Sequence, residues 1–347
     1  MSYNFGIVGL GLIADFHARA IEAIPNAEIY SCMSRSSEKA DAFSQKYKCR
    51  GYTNLAEMLT DPNLDIVTIC TPSGYHMEPA LKIIKAGKHI IVEKPLEITL
   101  ERCDRILTAA ENNNVRISTV FPSRFSKSAK QIKRAVDNGR FGKFILGDAY
   151  VKWLRSQEYY DKGGWHGTKK LDGGGALMNQ SIHAIDLLQW FMGPVKSLKA
   201  YTATRGHERI ETEDIGVAVL KFKNGALGVI EGSTAVYPGY LKRIEIAGTN
   251  GSIILEESEI KSWNFKNEIK KNVLPGKNTN TETSSGEGSS DPGAIDFKPH
   301  KWQFENFLES LDSGKRSVVE GNEGRKAVEI ILAIYESAEK GSEVFLK

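Results

Sequence analysis

FGIVGLGLIADF, residues 5–16, joins a short apolar run to two glycines and then to a helix-like stretch. The spacing Gly9-x-Gly11-x-x-Ala14 has a physical reading residue by residue. Gly9 permits a tight turn, Gly11 lets a backbone approach a pyrophosphate, and Ala14 allows the helix to pack closely on the strand. Leu12 and Ile13 then open the helix, whose first amides attract an anion. A strand, this turn and a helix together are expected to open a βαβ unit that binds a dinucleotide, the alternative being a tight turn alone.

Outward from that stretch, residues up to about 120 alternate apolar runs (EIYSCMS, DIVTIC, HIIVEK, VRISTV) with helical patterns, the rhythm of a doubly wound parallel sheet with crossover helices. After FPSRF the strands lengthen and partly alternate (FILGDAYVKWL, KSLKAYTATR, IGVAVLKF, ALGVIEGST, KRIEIAGTNGSIILEE), with one strong helix at ALMNQSIHAIDLLQWF. The expected architecture is therefore a two-domain α/β chain. Residues 1–122 form the nucleotide-binding domain, and residues 123–347 form an α/β domain with a large, mainly antiparallel open sheet. HKWQFENFLESLDSG and EGRKAVEIILAIYESAEKG read as two amphipathic helices, and the C-terminal helix is expected to pack back on the first domain. Residues 275–294, poor in apolar side chains, read as a mobile surface loop that either lids the site or stands apart from it.

Composition limits the partners. The 347 residues carry 41% hydrophobic and 26% charged side chains and a formal net charge of +3, with no basic stripe for nucleic acid. No run approaches the roughly 20 apolar residues of a membrane helix, and the N-terminus lacks a basic leader. The 4 cysteines form no CxxC pair or zinc spacing. Reduced thiols, a cytoplasmic location and small-molecule or self-association partners are the expectation.

The ends of the parallel strands should line the ligand crevice. After the second strand the sequence reads Ser34-Arg35, where an arginine flanked by hydroxyls can receive a 2′-phosphate, so NADP is expected ahead of NAD. Arg35 can equally project into solvent. Thr71 and Pro72 end the next buried run, and His76 either walls the cofactor or caps the following helix. Glu93 and Lys94 end the run GKHIIV on the same rim. A lysine there can donate to a substrate hydroxyl or pass a proton, and Pro95 restricts its backbone.

GLGLIA at 9–14, TPSGYH at 71–76, EKP at 93–95 and GGGALMNQSIHAID at 173–186, in this order along nearly the whole chain, resemble the glucose-fructose oxidoreductase, inositol dehydrogenase and rhizopine-catabolism family (Gfo/Idh/MocA). The resemblance implies a Rossmann domain followed by an α/β domain whose open sheet mediates a homodimer or homotetramer. It implies NAD(P)-dependent oxidation or reduction of sugars and cyclitols, and assigns catalytic roles to Lys94 and His183.

Physically, Asn179, His183, Asp186 and Trp190 recur at i, i+4, i+7 and i+11 and share one helix face, which needs something polar to meet. His183 can accept the hydroxyl proton while hydride leaves the same carbon. Many family members carry Asp where this chain has Asn179, and an amide cannot raise the histidine's basicity by charge. Asp186 is a candidate for that charge or for holding the helix. Trp165, His166 and Thr168, with Tyr159 and Tyr160, are candidates for the sugar pocket. Arg124 sits at the domain junction, placed for substrate or cofactor. His166, His183 and Asp186 lack a metal-ligand spacing, so hydride transfer without a metal is the simpler expectation. Two alternatives remain: a nucleotide-sugar dehydrogenase of the same family, with anion contacts near Arg124 or Arg155, and a non-catalytic NADPH-sensing protein.

Overall fold

The computed structural model describes residues 2–266 and 296–346; the 275–294 segment lies outside the described residues. Six short strands, β1 (Tyr3–Val8), β2 (Ala27–Met33), β3 (Arg50–Tyr52), β4 (Ile66–Ile69), β5 (His89–Val92) and β6 (Ile117–Thr119), form an all-parallel sheet in the order β3-β2-β1-β4-β5-β6. The side chains of β4 are all buried, as expected where helices cover both faces. Those helices are α1 (Leu12–Glu22), α2 (Ser37–Tyr47), α3 (Leu55–Leu59), α4 (Met77–Lys85) and α5 (Leu100–Asn112).

Strand order reverses between β1 and β4, which fixes where a ligand can enter. The Cys70 amide donates to the Val8 carbonyl at 2.7 Å, so the glycine turn and Thr71-Pro72 leave the sheet side by side. Glu93 and Lys94 leave β5 on the same edge.

The second domain holds α6 (Lys127–Asp137), β7 (Phe144–Lys152), α7 (Gln157–Gly163), α8 (Ile182–Met192), β8 (Val195–Ala203), β9 (Ile215–Phe222), β10 (Leu227–Ser233), β11 (Arg243–Gly248), β12 (Gly251–Glu256) and β13 (Glu259–Phe265). After it come α9 (Lys298–Ser313), α10 (Gly321–Lys340) and β14 (Val344–Phe345). The sheet order is β13-β12-β11-β7-β10-β9-β8-β14, and only β7 and β10 pair in parallel. One face packs on α8 and α10; the other leaves Ile145, Tyr201, Val219 and Leu227 exposed.

Five strands differ from the sequence reading. KRIEIAGTNGSIILEE is a hairpin, β11 turning at Thr249-Asn250 into β12, rather than one strand. Strands β3, β13 and β14 are not among the runs read from sequence. Late in the chain, α9 rejoins the first domain: Phe304 stacks on Phe5 at 6.2 Å and shares a core with Ile7 and Ile21.

Candidate active site

The glycine turn has the form a dinucleotide requires. Gly9 sits at φ 90°, and a Cβ there would lie 2.7 Å from the Thr71 amide nitrogen. Glycine fits the position because it alone has no Cβ to collide. At Gly11 a Cβ would meet nothing within 4 Å, and no side chain caps the first amides of α1. An open space before uncapped helical amides suits a pyrophosphate, so the residues present fit the nicotinamide dinucleotide. Leu12 is exposed and Ile13 half-buried at this mouth. Ser34 begins the turn after β2, its hydroxyl accepting from the Ser36 amide, while Arg35 is exposed with its guanidinium 5.9 Å from the Tyr75 ring centroid.

Two residues expected to touch the cofactor also bond within the scaffold. His76 is buried, one ring nitrogen 2.9 Å from the Pro95 carbonyl and the other 2.9 Å from that of Thr71, so it ties the two rim loops together. Glu93 is buried against His17 at 2.7 Å and accepts from the Lys94 amide. Burial opposes ionisation of both partners. The Cys70 sulfur and the Glu93 carboxylate nevertheless bring His17 up to about 10, and the His17 contact brings Glu93 down to about 2. His300 of α9 completes this group, its ligand-capable atoms and those of His17 and Glu93 all within 4.8 Å of one another. His166, His183 and Asp186 are not such a group among the described residues.

Lys94 reaches out of the first domain into the second. Its Nζ donates to the Asn179 carbonyl at 2.7 Å and to Asn179 Oδ1 at 3.1 Å. Burial lowers its pKa and Arg155 works in the same direction, against Glu93 and Asp172. Asn179 lies in a π-helical turn, Ala176–Ser181, that precedes α8. Glu213 holds the start of that turn by accepting from the Gly175 amide at 3.0 Å and the Leu177 amide at 2.8 Å. Such wide turns often mark functional sites.

His183, one turn further, is half-buried with the Phe121 ring edge-on at 5.9 Å, and its Nδ1 has no hydrogen-bond partner among the described residues. Burial, then the charge of Lys94, holds its pKa well below the usual value, which favours the neutral imidazole. His166, lowered to about 4 by burial and then Lys94, stacks on Trp165 at 4.0 Å and lies 4.6 Å from the Tyr159 ring.

The polar stripe that runs from the π-helical turn along α8 meets two cations. Its first half faces Lys94. Asp186 instead takes a bidentate pair from Arg124, with Nε at 2.8 Å, while Glu323 accepts from the same guanidinium at 2.8 Å and Trp190 lies 5.1 Å beneath it. Arg124 and Asp186, expected at the substrate, are thus buried partners of each other. Thr168 closes its own loop by donating to the Trp165 carbonyl, and Tyr160 bonds Thr234 in the core.

Sequence reasoning passed over Asp172, Gln180 and Glu213. Asp172 Oδ1 accepts from Asn179 Nδ2 at 2.7 Å, and Oδ2 from the Gly167 amide at 2.8 Å. Gln180 accepts from Arg155 at 3.0 Å and donates to the Tyr159 hydroxyl at 3.1 Å. An aspartate abutting three glycines was the available signal for the first.

Comparison with known proteins agrees with this geometry. Residues 3–121 match the oxidoreductase family with an NAD-binding Rossmann fold, and residues 129–254 match the GFO/IDH/MocA C-terminal domain. Myo-inositol 2-dehydrogenase of Thermotoga maritima is 28% identical over 359 residues, covering 99% of this chain and 98% of that one. The WlbA dehydrogenase of Bordetella pertussis, crystallised with NADH and UDP-GlcNAcA, is 32% identical with a TM-score of 0.87, covering 100% of this chain and 99% of the other. Levoglucosan dehydrogenase, solved with NADH and levoglucosan, shares the fold at a TM-score of 0.88 with 22% identity. The chain belongs to the Gfo/Idh/MocA oxidoreductase family and is an NAD-dependent dehydrogenase.

Proposed function

We propose that the protein oxidises a secondary alcohol of a sugar or cyclitol, or reduces the corresponding ketone, with Lys94 and His183 handling the proton. The observation that carries this reading is the Lys94–Asn179 contact, which fastens the end of β5 to the turn that leads into α8 and His183. When bound, the nicotinamide accepts or returns the hydride. Lys94 donates a hydrogen bond to the reacting oxygen and stabilises the charge developing there. His183, whose lowered pKa favours the neutral form in which a ring nitrogen can accept, takes the hydroxyl proton as general base. Trp165 offers an aromatic surface to the apolar side of a sugar ring, and His166 a hydrogen-bonding edge.

A second reading, oxidation of a nucleotide-linked sugar, is favoured by Arg155. It is 4% exposed, lies close enough to depress Lys94, and adds a second cation to the pocket. The ligand named for the Bordetella pertussis relative supports the same reading. For the cofactor, Arg35 beside Tyr75 supports acceptance of a 2′-phosphate, and thus NADP in addition to NAD.

The test is reduced-nicotinamide absorbance with NAD or NADP and a panel of aldoses, cyclitols and nucleotide sugars. Turnover of free sugars or cyclitols supports the first reading, and turnover confined to nucleotide sugars supports the second. An Arg35→Ala variant should lose turnover with NADP while keeping it with NAD; equal loss with both would refute the role given to Arg35.

A further inference from the structure

We propose that Asp172 is a positioning residue for the Lys94 ammonium, acting through the amide of Asn179; this rests on the catalytic role assigned above to Lys94.

The geometry runs in one direction. Asn179 presents an amide whose two ends are opposite in character, and a flipped amide would turn two N–H groups toward the cation. Asp172 forbids the flip. Its Oδ1 accepts from Asn179 Nδ2 at 2.7 Å, which leaves Asn179 Oδ1 facing Lys94 Nζ at 3.1 Å. The carboxylate is itself fixed from its other side by the Gly167 amide at 2.8 Å, and the residue is 1% exposed. An ammonium has three N–H donors. Two are directed at the Asn179 carbonyl and side-chain oxygen, so the third has a defined direction and is the one available to a substrate oxygen.

Charge follows the same path. The Asp172 carboxylate stands one hydrogen bond behind the Asn179 amide. The negative charge favours the protonated lysine without competing with the substrate for its N–H groups. Other groups face the pair from every side: Glu93 beside Lys94, Arg155 after β7, His166 in the following loop, and His183 on α8. Glu213 and the Tyr159, Tyr160 and Tyr335 hydroxyls also face Asp172. Burial raises the Asp172 carboxyl to about 7, against the pull of the Gly167 amide and of Lys94.

The test measures Lys94 directly. Amines acylate only when unprotonated, so the yield of acylated Lys94 against pH, read by mass spectrometry of its peptide, gives the midpoint of its titration with or without a known substrate. Asp172→Asn should move that midpoint to lower pH by about one unit, a tenfold change in the equilibrium. It should also lower kcat/KM at least tenfold while NAD affinity stays unchanged. Asn179→Ala leaves the Asp172–Gly167 bond in place, tests the same link should Asp172→Asn fail to fold, and should lower the midpoint as well. In the Asn179→Ala background the further effect of Asp172→Asn on kcat/KM should largely vanish. An unchanged Lys94 midpoint in folded Asp172→Asn, or fully additive effects of the two substitutions, would overturn the proposal. Failure of every sugar to turn over would count against the functional reading instead and leave the Lys94 midpoints to decide this one.

Discussion

At the scale of single residues, the histidines divide into charged and neutral ones by what faces them. His17 holds a proton because Glu93 and Cys70 lie against it, whereas His300, equally buried and next to that charge, is lowered to about 4. An unfolded histidine takes its proton near pH 6.5, so between pH 6.5 and 4 the unfolded state binds the extra proton and the folded state does not. The His300 contribution to stability therefore falls on acidification, by about 1.4 kcal/mol per pH unit. Urea unfolding at pH 7, 6 and 5 should show the wild type losing stability relative to His300→Gln as the pH drops; a pH-independent difference would refute the neutral assignment. Lys94 and His183 were singled out in the sequence by the family resemblance, since a lysine at a strand end and a lone histidine on a helix are by themselves more often a solvated side chain and a core residue. Asp172 and Glu213 were not. Their partners stand 5 to 122 residues away along the chain, and before folding an aspartate next to glycines has only the signature of a turn.

Elements were read well where one rule governed them. Buried runs bounded by turn residues became the parallel strands, because a strand covered on both faces admits little else. The β11–β12 hairpin was hidden by its continuous apolar flanks, although Asn250-Gly251 is a hairpin signal. The α8 stripe was legible as polar but not as divided. The π-helical turn shifts Asn179 relative to a regular helix, and nothing in a 3.6-residue period announces that shift. The β1–α1 turn permits a sharp expectation. In Gly9→Ala a new Cβ would press on the Thr71 and Cys70 backbone in a left-handed conformation. NAD affinity should fall at least tenfold and the thermal midpoint should drop, with strain of about 1–3 kcal/mol. Retention of wild-type affinity would contradict the close approach of the two rim loops.

For the whole molecule, the large sheet buries one face and leaves the other to solvent. Tyr201 at 72% exposure, Val219 at 57% and Leu227 at 55% stand on strands whose opposite sides form the core. An exposed apolar sheet surface is a candidate for association, and pairing with a second copy of the chain through the same face would give a closed dimer. Light scattering should find a dimer or tetramer, and Val219→Lys with Tyr201→Lys should shift it toward monomer while the glycine turn still binds NAD. A monomeric wild type would refute the interface. The most direct test of the proton chemistry is turnover of the best panel substrate by wild type, Lys94→Ala and His183→Ala, with the NAD dissociation constant measured alongside. The expected result is a loss of kcat of roughly 10²–10⁴-fold in each variant with NAD binding retained. Wild-type turnover by either variant would contradict the role assigned to that residue.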